Sequence, residues 1–494
     1  MENLDPDICY RALATRDARF DGRIFVAVRS TGIYCRPICP ARTAKRENVT
    51  FYASAAAAQE AGFRPCLRCR PETSPDMGAW RGSSNTVSRA LALIEEGAMD
   101  EGDVEALGDR LGVGGRQLRR LFKQHLGASP VAVAQTRRVL LAKQLIHETR
   151  LSMAEVALAA GFGSVRRFNE TFQTLFRRAP ASLRHGAQAI EIADAPVTLT
   201  LGYRAPYDWA GMLGFLASRA ILGVEAVIDG RYARTIALGG KTGHLLVEPG
   251  KGDSLKVTIR FPDLTQLPQI IARVRRVFDL SADPLAISSH LAEDPTLAPL
   301  VARRPGLRAP GAWDSFELAV RAILGQQITV PVASRLAGTL AATFGGTLSD
   351  PAALALGLTH VFPDAAALAK ADIAGLGLMP GARAKALTGL AAAVATDPRL
   401  LCPYGDLDSA VAKLCALPGI GDWTAQYIAL RALRESDAFP AADVGLLKAM
   451  AVAGIRPSVP ELLDRAETWR PWRAYAAIHL WASLSDASEV KHAA

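Results

Sequence analysis

Residues 417–425 read LPGIGDWTA and lie between an apolar segment and the helical segment 426–434. Two glycines in this stretch, Gly419 and Gly421, permit a tight turn between the two segments. Backbone N–H groups at the start of the second helix then point out of the turn, where they can bind a phosphate. The stretch therefore predicts two helices joined by a phosphate-binding hairpin. A Gly-x-Gly turn alone is weak evidence, because such turns are often mere connections between helices.

The residues that follow make the prediction more specific. Residues 439–446 read FPAADVGL, so Asp443 comes 22 residues after Gly421. A hairpin of this kind, the helix-hairpin-helix pattern, holds DNA without reading its sequence, and the acid that follows it makes the signal stronger than a Gly-x-Gly turn alone. Asp443 also suits a simpler role, since Asp is favoured as the N-cap of a helix. Both interpretations remain open from the residues alone.

From about residue 195 to 486 the chain resembles 3-methyladenine DNA glycosylase II, of the helix-hairpin-helix superfamily. Besides the hairpin, the resemblance is carried by the segments PYDW (206–209), MLGFL (212–216), RPGLR (304–308), RAILGQQ (321–327), WR (472–473) and HLW (479–481). It implies that Asp443 is the catalytic acid and that four aromatic residues form the base pocket: Phe215, Trp423, Tyr427 and Trp481. Aromatic faces suit a positively charged alkylated purine. Core packing is the alternative role for each ring.

The same resemblance implies further details. Candidate DNA contacts are Gly419, Gly421, Thr424 and Gln327. Gln327 stands where a related glycosylase has a leucine wedge. Bifunctional relatives carry a hairpin lysine that forms a Schiff base, and Trp423 occupies that place, so we expect a monofunctional enzyme. No cysteine follows Cys415, which excludes the C-terminal iron–sulfur cluster of some relatives.

Four of the seven cysteines have the spacing of a metal site. Cys35 and Cys39 form one close pair, and Cys66 and Cys69 form a second pair after 26 intervening residues. Two such pairs in a reducing compartment predict a tetrahedral Zn²⁺ site, which is usually structural when all four ligands are cysteines. The remaining three, Cys9, Cys402 and Cys415, are expected to be small buried apolar residues.

The sequence around these cysteines gives the site a second interpretation. It includes FDGR (20–23), GIYCRPICPAR (32–42), RENV (46–49) and GFRPCLRC (62–69). Across about residues 5 to 76 this closely resembles the zinc domain of Ada-type regulators, whose first cysteine, here Cys35, accepts a methyl group from a DNA methylphosphotriester. Such regulators commonly end in a methyltransferase domain with a Pro-Cys-His-Arg site. That tetrapeptide does not occur here, and the glycosylase-like region takes its place.

Charge is concentrated in the first part of the chain. Residues 1–190 hold 28 Lys and Arg against 19 Asp and Glu, whereas residues 191–494 hold 29 of each, so the net charge of +9 belongs to the first part. This imbalance favours a polyanionic partner such as DNA. After a Gly/Ser-rich linker at 78–85, two units repeat one pattern at 104–126 and 153–176: a short helix, a turn with Gly and a basic helix. They resemble the paired helix-turn-helix units of AraC-type activators.

The second helix of each unit is expected to enter the major groove. Candidate contacts are Arg116, Gln117, Arg119 and Arg120 in the first unit and Ser164, Arg166, Arg167 and Asn169 in the second. Arg pairs with guanine, and Asn or Gln with adenine. Leu118, Leu121, Phe122, Phe168 and Phe172 are expected to face the core. A basic helical bundle exposed only to solvent is the alternative.

The whole pattern predicts a multidomain α+β protein. The expected parts are a zinc-binding methyl-acceptor domain at 1–77, an all-α double helix-turn-helix domain at 84–187, an antiparallel α+β domain at 194–308 with strands near 197–201 and 254–259, and an all-α helix-hairpin-helix domain at 309–490. A short linker is expected near 188–194. No apolar run is long enough to span a membrane, and the N-terminus has no secretory signal, so we expect a cytoplasmic protein with no membrane partner.

These features predict a fused alkylation-response protein. Methylated Cys35 would activate transcription, Asp443 would serve excision of alkylated purines, and the partners would be alkylated and promoter double-stranded DNA, with RNA polymerase as a further candidate. Two alternatives remain: a regulator whose glycosylase half only binds damage, and a repair enzyme whose first half only tethers it to DNA. The presence of Asp443 argues against the first, and the complete cysteine set argues against the second.

Overall fold

The computed structural model describes residues 5–74, 85–184, 196–402 and 406–493. The chain divides into two compact units: unit 1 comprises residues 1–203 and 250–272, and unit 2 comprises residues 204–249 and 273–494. Residues 78–84 of the predicted linker 78–85 lie outside the described residues, as does the predicted linker 188–194, whereas Asn85 begins a helix. Within the described part, no helix has the length and apolar character needed to cross a membrane.

The N-terminal part of unit 1 is a small α+β domain. Its elements are α1 (Pro6–Thr15), α2 (Ala55–Glu60), β1 (Phe25–Val28), β2 (Ile33–Cys35), β3 (Val49–Tyr52) and β4 (Arg64–Pro65). The strand order is β3-β1-β2-β4, in which only the β2–β4 pair is parallel. Because β2 and β4 are parallel, their C-terminal ends, which carry Cys35 and precede Cys66, lie at the same end of the sheet, and the Cys66 N–H donates to the Tyr34 carbonyl at 3.0 Å.

Six helices follow and confirm the predicted double helix-turn-helix. They are α3 (Asn85–Glu95), α4 (Val104–Leu111), α5 (Gly115–Leu126), α6 (Pro130–Glu148), α7 (Met153–Ala159) and α8 (Val165–Phe176). Gly108 inside α4 allows the close turn, because a Cβ there would lie 2.5 Å from the Val113 carbonyl oxygen. Phe122 in α5 and Phe168 and Phe172 in α8 are fully buried, so the expectation that these rings face the core is confirmed. Leu118 is buried as well, and Leu121 packs against the same core.

Antiparallel strands form next, where alternating apolar residues predicted them. They are β5 (Val197–Gly202), β6 (Glu225–Ile228), β7 (Arg231–Leu238), β8 (Lys241–Pro249) and β9 (Ser254–Arg260). In unit 1, β5 pairs with β9 from Val197 opposite Ile259 to Gly202 opposite Ser254. In unit 2, β7 pairs with β6 on one side and with β8 on the other.

The remaining elements are helices, as the Gly- and Pro-punctuated pattern predicted. Their bounds are α9 (Trp209–Ala217), α10 (Leu267–Val277), α11 (Pro284–Leu291), α12 (Ala298–Arg303), α13 (Ser315–Leu324), α14 (Val330–Phe344), α15 (Pro351–Leu354), α16 (Ala365–Lys370), α17 (Gly381–Thr396), α18 (Leu407–Cys415), α19 (Asp422–Arg431), α20 (Val444–Ala449), α21 (Val459–Ala466) and α22 (Arg473–Ala493). The apolar helix α13 is almost wholly buried and packs against α14, α17 and α19. The hairpin between α18 and α19 is therefore built on the core of unit 2.

Candidate functional site

Two sites carry chemistry, one in each unit. In unit 1 the ligand atoms of Cys35, Cys39, Cys66 and Cys69 all lie within 4.8 Å of one another. Zinc–sulfur bonds of about 2.3 Å in a tetrahedron require sulfur atoms roughly 3.8 Å apart. The four thiols thus fit one Zn²⁺ ion without rearrangement of the backbone. No other described group of three or more Cys, His, Asp or Glu side chains has this property.

The four cysteines differ in exposure. Cys39, Cys66 and Cys69 are buried, whereas Cys35 is half-buried. Cys35 ends strand β2, while the other three lie in or beside turns. By residue, Cys35 is therefore the least buried member of the set.

Backbone N–H groups donate hydrogen bonds to two of the four sulfur atoms, and the thiols also hydrogen-bond to one another. The Arg36 and Arg68 backbone N–H groups each donate to a sulfur at 3.3 Å, that of Cys69 and that of Cys66 respectively. Among the thiols, the hydrogen bond from Cys35 lowers the pKa of Cys39 to about 7, whereas hydrogen bonds to its neighbours raise the pKa of Cys35. When Zn²⁺ is bound, the four thiols no longer share protons with one another, because the ion binds all four sulfurs as thiolates.

The predicted groove-binding side chains lie on the surface of α5 and α8. Those of Arg116, Gln117, Arg119, Arg120, Ser164, Arg166, Arg167 and Asn169 are exposed. Three already have local partners: Arg119 pairs with Glu105 at 2.9 Å, Arg166 pairs with Glu170 at 2.8 Å, and Ser164 caps α8 by accepting from the Arg167 N–H. The helix faces that the sequence assigned to DNA are thus available, and their charges can exchange surface partners for phosphates at little cost.

In unit 2 a cavity of about 950 Å³ surrounds the predicted acid. Its lining includes Trp423, Tyr427, Asp443 and Trp481, which the sequence placed together, and also Arg219 and Arg321. Phe215 is not among the lining residues; it is half-buried and lies beside Arg219 and Arg431. Three of the four predicted pocket aromatics therefore line the cavity around Asp443.

Asp443 is held from three directions. The Trp423 indole N–H donates to one carboxylate oxygen at 3.0 Å, and the Trp481 indole N–H donates to the other at 2.9 Å. Asp443 is also the N-cap of α20, where it accepts from the Leu446 N–H at 3.0 Å. The N-cap interpretation is thus confirmed, and the same carboxylate lines the cavity, while its catalytic role stays a prediction.

The aromatic wall continues from the acid. Trp423 and Tyr427 stack with ring centroids 5.6 Å apart and an angle of 10° between their planes, and Tyr427 meets Trp481 edge-on at 6.2 Å. One turn of α19 separates Trp423 from Tyr427, which explains their parallel faces. This wall gives a flat base a stacking surface.

Buried guanidinium groups lie beneath this wall, a feature that the sequence did not predict. The Arg219 guanidinium lies 3.8 Å from the centroid of the Phe215 ring, and that of Arg431 lies 4.7 Å from it. Arg431 also donates to the Tyr427 hydroxyl at 2.8 Å. Burial alone would raise the pKa of Tyr427, but Arg431, Arg219 and Arg321 outweigh burial and lower it. Burial lowers the pKa of Arg431 to about 10, so it stays protonated at neutral pH.

Two acids partly balance these charges. Glu225 binds Arg321 at 3.0 Å and Glu317 binds Arg234 at 2.8 Å, all within the buried part of unit 2. Glu317 also pairs with Arg321 at 3.3 Å, one helical turn away, and this i,i+4 spacing is a local signal that the sequence offered. The Glu225–Arg321 and Glu317–Arg234 pairs join residues far apart in the chain, which no local pattern predicts.

The hairpin has the predicted shape. Gly419 has a φ of +83°, and a Cβ there would lie 2.5 Å from the Ala386 Cβ, so glycine is required. Gly421 is the N-cap of α19 and has no side-chain capping bond. The first N–H groups of α19 are thus left for a phosphate.

The two other candidate DNA contacts differ from each other. Thr424 is buried, and its hydroxyl accepts from the Gln326 side chain at 3.0 Å, so it supports the hairpin from inside. Gln327 is exposed and has a φ of +56°, a left-handed conformation that is costly for a residue with a side chain. Gln326 and Arg383 fix the neighbouring backbone, because the Arg383 guanidinium donates to the Gln326 carbonyl at 2.6 Å.

The three remaining cysteines are not alike. Cys9 is buried as expected, but the expectation is wrong for Cys402 and Cys415, which are both exposed. Each lies at a helix end or in the turn after one, where helical periodicity gives no signal about which side is buried.

Three segments of the chain match models of known protein families. Residues 8–72 match the metal-binding domain of Ada, residues 107–186 match a helix-turn-helix domain, and residues 198–314 match the AlkA N-terminal domain. Zn²⁺ is therefore the cofactor of the N-terminal domain, and the fold combines a zinc domain, a helix-turn-helix domain and a glycosylase-type fold.

Individual relatives define the family. A protein of Mycobacterium tuberculosis named "probable bifunctional transcriptional activator/DNA repair enzyme AlkA" is 42% identical over 97% of both chains. DNA-3-methyladenine glycosylase 2 of Escherichia coli is 38% identical over 57% of this chain and 96% of its own. A 3-methyladenine DNA glycosylase structure from Archaeoglobus fulgidus has the same fold over 57% of this chain and 96% of its own, with a TM-score of 0.51 and 22% identity. The chain belongs to the family of bifunctional transcriptional activator/DNA repair enzymes with Ada-like and AlkA-like parts.

Proposed function

We propose that the protein accepts methyl groups from DNA methylphosphotriesters on Cys35, activates transcription in that state, and excises alkylated purines such as 3-methyladenine at Asp443. The observation that carries the proposal is the joint presence of two reactive groups in suitable settings. Cys35 is the least buried residue of a four-cysteine cluster, and Asp443 lines a cavity with aromatic walls.

The proposed methyl transfer is a single displacement. The Cys35 thiolate attacks the methyl carbon, a carbon–sulfur bond forms, and the methyl–oxygen bond breaks with its electron pair left on the phosphate oxygen. The neutral triester becomes an anionic diester, and the thiolate becomes an uncharged thioether. Bound Zn²⁺ keeps the attacking sulfur deprotonated at neutral pH. A thioether is a poor leaving group, so each molecule reacts once.

This reaction changes the charge of the domain. Four thiolates and one Zn²⁺ carry a net charge of −2, and methylation of Cys35 leaves −1. The change weakens repulsion of DNA phosphates, so methylated protein should bind promoter DNA more tightly than unmethylated protein. Affinity measured before and after reaction with methylated DNA tests this, and equal affinities would contradict it. The exposed faces of α5 and α8 would then hold the promoter while RNA polymerase is recruited.

The proposed excision relies on charge stabilisation. An N-alkylated purine already carries positive charge and departs with the electron pair of the N-glycosidic bond. Positive charge develops on the sugar, where the Asp443 carboxylate stabilises it and orients the attacking water. The target nucleotide must first leave the base stack. Gln327, which lines the cavity, would then fill the gap. Stacking on Trp423 and Tyr427 supports the extruded base.

Trp423 also occupies the position where a lysine would permit strand cleavage, so the product should be an abasic site in an intact strand. The experiment incubates methylated duplex DNA with the protein and follows free base and strand length separately. Release of 3-methyladenine without strand breaks is expected. Strand breaks that appear at the same rate as free base would contradict a monofunctional enzyme.

A further inference from the structure

Strand β5 belongs to the segment that matches the AlkA N-terminal domain. Within unit 1 it contacts helix α6 of the helix-turn-helix domain. Among the described residues β5 pairs with β9 alone, so its other edge has no strand partner. An unpaired edge presents N–H and C=O groups that must find other partners or water. At Thr200 these groups find partners on helix α6.

Two side chains of α6 take the place of a neighbouring strand. The Thr200 N–H donates to a carboxylate oxygen of Glu148 at 2.8 Å, and the Thr200 carbonyl accepts from the Gln144 side-chain amide at 2.8 Å. Gln144 also donates to Glu148 at 3.0 Å, which fixes the two side chains relative to each other. Both backbone groups of one edge residue are therefore satisfied by a single helix.

The same helix is tied to the zinc-binding domain. Lys143 is completely buried; its ammonium group donates to Glu72 at 2.5 Å and to the carbonyl of the zinc ligand Cys66 at 3.0 Å. Arg70 lies between the two acids, 3.2 Å from Glu72 and 2.5 Å from Glu148. A continuous series of ionic and hydrogen-bonded contacts thus leads from Cys66 to Thr200.

A steric contact points to the same pairing. Gly202, at the end of β5, lies so close to the turn Pro71–Thr73 that a Cβ there would be 2.5 Å from the Thr73 carbonyl oxygen. That turn follows the last zinc ligand, Cys69, after only one residue. The strand therefore contacts both α6 and the zinc-binding segment.

We propose that Gln144 and Glu148 form a docking surface on α6 for the free edge of β5, and that Lys143 and Arg70 tie this surface to the zinc-binding segment. The zinc site and this strand of the glycosylase fold are then ordered together. The segment that docks on this surface of α6 is thus part of the same chain. This inference is independent of the chemistry proposed for Cys35 and Asp443.

The test follows amide hydrogen exchange in the full-length, zinc-loaded protein. Replacement of both Gln144 and Glu148 by Ala removes the two partners of Thr200, and exchange in the peptide that covers β5 should rise about tenfold, since a charged hydrogen bond is lost. Gly202→Ala should have a similar effect by forcing the strand away from Thr73. Exchange in β7 should stay unchanged in both variants.

Matched controls remove the same kinds of group where no such contact exists. Glu101 is exposed, and Gly389 has open space where a Cβ would lie, so Glu101→Ala and Gly389→Ala should leave β5 exchange unchanged. If the double variant unfolds throughout, the single variants Gly202→Ala and Glu148→Gln replace it. A rise in β5 exchange in either one supports the proposal. Unchanged β5 exchange in both of these variants would overturn the proposal.

Zinc removal tests the second half of the proposal. Chelation should increase exchange at β5 in the intact protein, and readdition of Zn²⁺ alone should restore protection. In the Gln144→Ala, Glu148→Ala double variant, β5 exchange should depend on zinc less than in the intact protein, because only the contact between Gly202 and Thr73 still links the strand to the zinc-binding segment. Exchange at β5 that ignores zinc in the intact protein, while residues 62–74 respond, would contradict the coupling.

Discussion

The zinc cluster and the base cavity differ in how they hold the group that reacts. Cys35 is the half-buried member of a set whose other three cysteines are buried, and the backbone N–H groups of Arg36 and Arg68 donate to the sulfurs of Cys69 and Cys66. Asp443 is half-buried as well, but an indole N–H donates to each of its carboxylate oxygens. The proposed Cys35 reaction consumes its group, so access matters most. The proposed Asp443 reaction regenerates its group, so fixed position matters most.

This comparison predicts that the two activities can be removed separately. The largest expected effect is that of Cys35→Ala, which should reduce methyl acceptance from DNA phosphotriesters to background, because the proposed acceptor sulfur is gone. Base excision should stay within about twofold of the intact protein, since Asp443 is untouched. Transfer of radiolabelled methyl groups to the protein measures the first quantity.

Cys402→Ala is the matched control for that variant, because Cys402 is exposed but lies outside the four-cysteine cluster. It should leave methyl acceptance intact. Methyl acceptance by the Cys35→Ala variant would show that another sulfur reacts and that exposure does not select the nucleophile.

Zinc removal should reduce methyl acceptance nearly as much as Cys35→Ala does and should leave base excision unchanged. A chelator should abolish methyl acceptance, since the thiolates lose the cation that keeps them deprotonated and in place. Excision should continue, because no ligand of the cluster contributes to the cavity. Both activities are followed in one sample, and readdition of Zn²⁺ should restore methyl acceptance. Loss of excision on chelation would show that the two sites are not chemically separate.

A smaller effect is expected from Trp481→Phe. The ring remains, but Asp443 loses one of its two indole N–H donors, and the rate of base release should fall about tenfold, as for loss of a hydrogen bond to a charged group. Single-turnover release of free base measures the change. Trp209→Phe is the control, since the Trp209 indole N–H donates to the Gly230 carbonyl and the residue does not line the cavity. Equal rates for intact and Trp481→Phe protein would show that the carboxylate needs no such support.

The smallest effect concerns the exposed face of α5, where Arg116 lies. Arg116→Ala should weaken promoter binding and reduce the slope of log affinity against log salt by about one if Arg116 contacts a phosphate. Arg303→Ala, an exposed arginine on α12, serves as the control and should leave the slope unchanged. Titrations of promoter DNA at several salt concentrations give the slope. An unchanged slope for Arg116→Ala would remove this residue from the phosphate contacts.

The sequence predicted the parts of the fold that follow local rules. The cysteine spacing predicted the metal site, helical periodicity predicted the buried faces of α5 and α8, and the glycines at 419 and 421 predicted the hairpin. Contacts between residues distant in the chain were not predictable in this way. Nothing local links Arg431 to Phe215 or Glu148 to Thr200, and Thr424 looked like a hairpin surface residue although its hydroxyl faces Gln326.

The most direct test of the account measures free base released from methylated duplex DNA by the intact protein and by the Asp443→Asn variant. Asn keeps an oxygen that can cap α20, so the variant should fold, but it lacks the charge that stabilises the sugar cation. We expect 3-methyladenine release by the intact protein, a loss of about 10²-fold or more in the variant, and unchanged methyl acceptance at Cys35. Equal release by both proteins would contradict the role of Asp443, and no release by folded intact protein would favour a regulator whose second half only binds damaged DNA.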